Sequence, residues 1–277
     1  MPTLPSNPAP HRPAVPNPTR PADVDPHRRR EMAESFGADA ALYDRARPSY
    51  PAALIDALVA AAPGRDFLDV GCGTGILSRQ LQAAGCQVLG VDVDERMAAY
   101  ARSTGVDAEV SPFETWDPAG RTFDALVAGM TWHWIDPAVG AAKAANALRP
   151  GGTFAVFWYV LQPPPALGAA FAEVQRDVLP DNPAPASPLG AYEQFLDRTA
   201  DNLTDAFTDV SRATFPWSRT YTRDEWLDQL RTSGIAKPLA TASKLDTLLT
   251  RTGTAIDAAG GTFTLDSVAV SLTATRT

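Results

Sequence analysis

The chain has 277 residues, 45% of them hydrophobic, and a net charge of −8. That length and apolar content suit one large α/β domain, and an acidic body is a poor partner for nucleic-acid backbones or anionic membrane surfaces. No run of 18 apolar residues marks a membrane span. The N-terminus lacks the apolar segment of a secretory signal. The two cysteines, Cys72 and Cys86, do not make a disulfide framework and suit a reducing cytoplasm. No His/Cys cluster has metal-ligand spacing, so no metal is expected.

Residues 1–30 hold nine prolines and five arginines against Asp23 and Asp25, which leaves −11 on the remainder. A segment of that kind buries too little to offset its ordering entropy and is expected to be disordered. Residues 31–277 are expected to form a single domain. From Glu31 onward Met32, Phe36, Ala40 and Tyr43 share one helical face, until "RPSYP" (47–51) breaks it. A second apolar helix runs from Leu54 to Ala61 and stops at Pro63-Gly64.

Strands and helices then alternate. Strands are expected at 67–71, 87–92, 107–111, 123–129 and 152–160, with helices at 76–84, 95–103 and 138–148 between them. That order predicts a parallel sheet wound on both faces. Past "QPPPALG" (162–168) the texture changes. Helices at 169–179 and about 192–201 flank a second Pro-rich stretch, "PDNPAPASP" (180–188), and the insert 162–204 reads as a helical cap. A strand at 208–221, helices at 223–232 and about 239–258, and a long alternating strand at 261–276 complete the chain.

The most informative stretch is "LDVGCGTGILSRQL" (68–81). A buried strand ends in Gly71-Cys72-Gly73-Thr74-Gly75 and a helix starts at once, so backbone approaches a ligand closely and the helix presents free N–H groups. Asp92 ends the next strand, where an acid suits two ribose hydroxyls. The third glycine of the dinucleotide fingerprint G-x-G-x-x-G would fall at Ile76, which argues against a nicotinamide dehydrogenase. Cys72 has no neighbouring base and reads as a small packing residue rather than a nucleophile.

The G-x-G-x-G pattern preceded by Asp69 resembles motif I of class I S-adenosylmethionine-dependent methyltransferases. "VDVDERMAAYAR" (91–102), "FDALVAGMTWHWID" (123–136), "LRPGG" (148–152) and "YDRARPSYP" (43–51) resemble further segments of their small-molecule branch, in the right order over roughly residues 35–160. The resemblance implies a Rossmann-like, doubly wound sheet of seven strands, mostly parallel, with the last strand antiparallel. It also implies that S-adenosylmethionine is used and S-adenosylhomocysteine released. In that frame Gly71, Gly73 and Gly75 back the methionyl part and ribose, and Asp69 lies near the amino group. Asp92 grips the ribose, Val93 and Met97 flank the adenine, and Phe113 and Glu114 line its edge. Tyr43 and Arg47 close over the methionyl end.

The methyl acceptor is expected to be a small molecule attacked at O, N or S, with Met130, Trp132, His133, Trp134 and Trp158 around it. His133 is a general base, an orienting donor or a packed residue, and the sequence leaves all three open. Trp158 and Tyr159 alternate along their strand, so at most one of them faces the site. No "D/N-P-P-Y/W" pattern occurs, which lowers the odds of a nucleic-acid substrate. A protein that binds the cofactor or its product without transferring a methyl would carry the same loop.

Overall fold

The structure, a computed structural model, describes residues 35–180, 188–203, 205–236 and 242–277. The Pro-rich residues 1–30 and Met32 lie outside them, as does most of 180–188. The described residues hold seven strands: β1 (Asp66–Val70), β2 (Gln87–Asp92), β3 (Asp107–Val110), β4 (Phe123–Gly129), β5 (Leu148–Gln162), β6 (Phe207–Thr222) and β7 (Thr262–Arg276). They form one sheet in the order β3-β2-β1-β4-β5-β7-β6. β1 to β5 are mutually parallel, and β7 runs antiparallel between β5 and β6. This is the doubly wound sheet that the alternation of elements predicts, with the reversed last strand that the family resemblance implies.

The helices are α1 (Ala40–Ala46), α2 (Ala52–Ala61), α3 (Ile76–Ala83), α4 (Glu95–Ser103), α5 (Pro137–Ala147), α6 (Pro165–Val178), α7 (Pro188–Asn202), α8 (Arg223–Arg231) and α9 (Ala242–Ala258). Their starts follow from local chemistry. Asp136 accepts from the amides of Ala138 and Val139, with Pro137 in the first turn of α5. Thr222 and Glu225 form a capping box on α8. α6 begins at Pro165, four residues earlier than the expected 169, because a proline at the first helical position lacks only an amide that no helix bond would use. The helical face expected from Met32 through Tyr43 is interrupted: Phe36–Asp39 is a 3-10 turn, and the Asp39 carboxylate caps α1 at Leu42 N, 2.8 Å away.

Apolar side chains alternate across β5. Phe154, Val156 and Trp158 join Leu68, Leu126, Val270 and Leu272 in the core on one face. Ala155, Phe157 and Tyr159 join Phe67, Leu77, Leu81 and Leu54 on the other. The stretch 162–204 divides between the two faces of the sheet. Val174 and Val178 of α6 pack with Leu248 of α9, whereas Leu196 of α7 packs into the core around Trp158. The parallel register carries the ends of β1, β2 and β4 to one carboxyl edge, and with them Gly71, Asp92 and Gly129. Ligands of open α/β sheets bind at that edge. Among the described residues no helix is long and apolar enough to cross a membrane.

Candidate active site

The glycine loop is tied to its neighbours by backbone. Gly71 N and Cys72 N donate to Val91 O at 2.7 and 3.2 Å. Gly71 has φ +69°, and a Cβ there would lie 2.1 Å from Thr131 Cγ2. Only glycine therefore lets Thr131 close on the loop, where its hydroxyl reaches the carbonyls of Gly71 (3.3 Å) and Gly129 (3.2 Å). Gly73 N donates to Asp92 Oδ2 at 2.8 Å, and Asp94 N to Asp92 Oδ1 at 2.9 Å. Burial raises the Asp92 pKa, while those two amides pull it back. A Cβ on Gly73 would meet only Met97 Cε, at 3.7 Å, so the loop keeps an open side.

Across a small cavity of about 60 Å³ stands Arg47, at the C-terminal cap of α1. The cavity is lined by Asp69, Gly73, Tyr43, Arg47, Met130 and Tyr159, among others. The guanidinium lies 4.7 Å from the Tyr43 ring centroid. Its Nη1 donates to Tyr159 Oη at 3.3 Å and its Nη2 to the Thr232 carbonyl. Its Nε is buried with no partner, and no carboxylate among the described residues pairs with it. Burial opposes the charge, but the phenols of Tyr43 and Tyr159 outweigh it and the pKa is raised. Asp69 is buried at the end of β1 and accepts from Ser78 Oγ at 2.6 Å. Burial lifts its pKa to about 7 despite that bond.

After β4 the backbone turns sharply. Met130 has φ +59°, a left-handed conformation that non-glycine residues adopt mainly at constrained sites. Its amide donates to Phe157 O at 2.9 Å. A 3-10 turn then carries Trp132, His133 and Trp134. Trp132 is buried against Phe154 (4.9 Å) and Phe113 (6.0 Å). Trp134 lies 6.5 Å from Phe36. His133 stacks on Phe195 of α7, with centroids 5.0 Å apart and planes 6° apart. Its Nδ1 accepts from Trp158 Nε1 at 3.0 Å. Burial pushes its pKa down to about 3, with a further push from Arg198.

The remaining sequence-derived residues are distributed as follows. Met97 is buried beneath Gly73, and Val93 is half-buried after Asp92. Phe113 is buried in a stack on Trp116. Glu114 Oε1 accepts from Asp136 N at 3.0 Å, which fastens the turn before α5. Trp158 is wholly buried. Cys72 fills the space over Gly90, where a Cβ would come within 2.6 Å of its sulfur, and burial pushes its thiol pKa up.

Tyr50, Thr131 and Tyr159 line the cavity and Phe195 packs on His133, and none of the four had an assigned role from sequence. Tyr50 lies over Gly129 and packs edge-on against Phe157 at 5.1 Å. Tyr159 is on the opposite face of β5 from Trp158, as alternation requires. The run 43–51 contained Tyr50, but only Tyr43 and Arg47 of that run carried a role. Thr131 and Phe195 had no signal, because their roles depend on contacts across the chain.

Residues 68–156 match the sequence profile of a family described as a methyltransferase domain. An uncharacterized methyltransferase of Mycobacterium tuberculosis is 38% identical over 137 residues, covering 47% of this chain and 54% of the relative. A ubiquinone biosynthesis O-methyltransferase of Hahella chejuensis is 36% identical over 100 residues, 33% of this chain and 42% of the relative. The chain thus spans about half the length of the curated relatives it matches. A solved structure from Anaeromyxobacter dehalogenans, assigned as a type II methyltransferase, superposes with TM-score 0.61 at 25% identity, over 83% of this chain and 97% of that one.

Proposed function

We propose, for a chain whose residues 68–156 match a methyltransferase-domain family, that it is a class I enzyme that transfers a methyl group from S-adenosylmethionine to an oxygen, nitrogen or sulfur of a small molecule. The observation that carries this reading is the cavity between the open side of Gly73 and the unpartnered Nε of Arg47. A buried cation with no acid partner calls for an anion, and the cofactor's methionyl carboxylate is one. The carboxylate of Asp92 is held by two amides and retains lone pairs for a diol. Asp69, Gly71, Gly73, Gly75, Asp92, Val93, Met97, Phe113 and Glu114 would hold the cofactor from the sheet side, and Tyr43 and Arg47 from the α1 side. The cofactor supplies a methyl already activated on a sulfonium.

What the protein contributes is mainly placement. Alignment of reacting groups is worth roughly 7–11 kcal/mol, whereas a general base adds only about 10²–10⁴-fold. Met130, Trp132, His133, Trp134 and Trp158 are assigned to the acceptor side. Trp132 and Trp158 act there from behind, as supports, because both are buried. With its pKa near 3, His133 is a poor proton acceptor at neutral pH and serves the acceptor as a donor. The similarity to an O-methyltransferase of ubiquinone biosynthesis supports oxygen as the attacked atom.

Isothermal titration with S-adenosylhomocysteine and S-adenosylmethionine tests the cofactor site, and absence of binding at millimolar ligand ends the proposal. Transfer of a radiolabelled methyl to a metabolite extract separates an enzyme from a protein that only binds the cofactor.

A further inference from the structure

We propose that Trp158 is a positioning residue: its indole N–H holds His133 in the tautomer that carries its proton on Nε2, so His133 meets the methyl acceptor as a hydrogen-bond donor. The second half rests on the methyltransferase reading; the first does not.

An indole nitrogen donates and never accepts. The Nδ1 atom that receives the Trp158 N–H at 3.0 Å must therefore carry its lone pair. In a neutral imidazole the proton is then on Nε2. No protein group among the described residues bonds that nitrogen, and it is not sealed from solvent. Two features keep the arrangement fixed. Trp158 is fully buried in β5, so its indole has no alternative orientation without opening the core. Phe195 lies parallel to the imidazole and limits its tilt.

The groups facing the ring define its charge state. The indole of Trp158 comes from β5, the ring of Trp134 from the 3-10 turn at 4.5 Å, and the ring of Phe195 from α7. The charged group that acts on it is the Arg198 cation of α7. Among the described residues no carboxylate acts on it to stabilise an imidazolium. Protonating Nδ1 would set one N–H against another. An acceptor must therefore offer His133 a lone pair, as a carbonyl, hydroxyl or carboxylate oxygen does.

The test is nitrogen NMR on the full chain labelled with ¹⁵N-histidine, with the His133 signals identified by their loss in His133→Gln. The expected wild-type pattern is a protonated Nε2 and a bare Nδ1, unchanged from pH 8 to pH 5. Trp158→Phe keeps an aromatic ring and removes the N–H. That variant should show mixed tautomers. Phe195→Leu removes the stack alone and should keep the Nε2–H pattern.

A wild-type His133 protonated on Nδ1, or charged at pH 6, would overturn the proposal. So would an unchanged tautomer in a folded Trp158→Phe. If Trp158→Phe does not fold, the coupling across the Trp158–His133 hydrogen bond in the wild type decides: its presence supports the assignment and its absence refutes it. A chain that shows the expected tautomer yet binds no S-adenosylhomocysteine keeps the hydrogen-bond assignment and loses the methyltransferase reading.

Discussion

The amide of Gly73 donates to Oδ2 of Asp92 at 2.8 Å, so the loop after β1 and the acid that ends β2 are one bonded unit. A ligand held by Asp92 is thereby registered against the loop. Asp92→Ala removes both the acid and the tie on Gly73. Losing a charged hydrogen bond costs about 1.5–3 kcal/mol, so S-adenosylhomocysteine affinity should fall at least roughly tenfold by titration calorimetry. An unaltered affinity would remove Asp92 from the site.

The loop and Asp92 were legible because their signals are local: a buried strand, glycines at fixed spacing, then a helix. The parallel, doubly wound arrangement was likewise legible from the alternation of short apolar runs with helical periods. The break at Asp39 was not, because an Asp is compatible with a continuing helix until its carboxylate finds the Leu42 amide. Nor was the partner of His133. Trp158 lies 25 residues away, and Phe195 belongs to a helix whose sequence carries no motif. Sequence placed the histidine just after β4, where the 3-10 turn carries it, but its tautomer is set by packing.

Arg47 gives a contrast between stability and binding. The cost of burying the Arg47 cation is offset by Tyr43 and Tyr159 and not by an acid, so the fold does not depend on an ion pair there. Arg47→Met should therefore fold with a Tm equal to or above that of the wild type, while S-adenosylhomocysteine binding weakens by more than tenfold. Arg47→Lys keeps the charge but loses the planar fork that spans Tyr159 and Thr232, and should also bind worse. Normal affinity in both variants would place the cofactor carboxylate elsewhere.

Gly71 separates two penalties. Gly71→Ala brings a methyl within 2.1 Å of where Thr131 Cγ2 now stands, and also imposes a side chain at φ +69°. Thr131→Ala removes Cγ2 and Oγ1 from the first penalty, leaves the Thr131 Cβ at 2.7 Å, and does not touch the second. The double variant should therefore recover part of the stability lost in Gly71→Ala and retain a deficit of about 1 kcal/mol from the left-handed backbone. Urea unfolding of the single and double variants measures both. Simple additivity would show that Thr131 does not press on the loop.

Asp69 and His133 push the pH dependence of stability in opposite directions. Burial raises the Asp69 pKa from 3.8 to about 7, so the native state keeps a proton that the unfolded chain releases. Its contribution is full below pH 3.8 and is lost as pH rises toward 7. Burial lowers the His133 pKa from 6.5 to about 3, so the native state refuses a proton that the unfolded chain takes up. That contribution is full above pH 6.5 and is lost as pH falls toward 3. Between pH 4 and 6.5 the two slopes, each about 1.4 kcal/mol per pH unit, oppose one another. Relative to wild type, stability of Asp69→Asn should therefore rise with pH across that window, and that of His133→Gln should fall. The double variant should track the wild type. Urea denaturation at pH 4.5, 5.5 and 6.5 reads these differences directly, and parallel curves for all four proteins would mean that neither group is held away from its ordinary protonation by the fold.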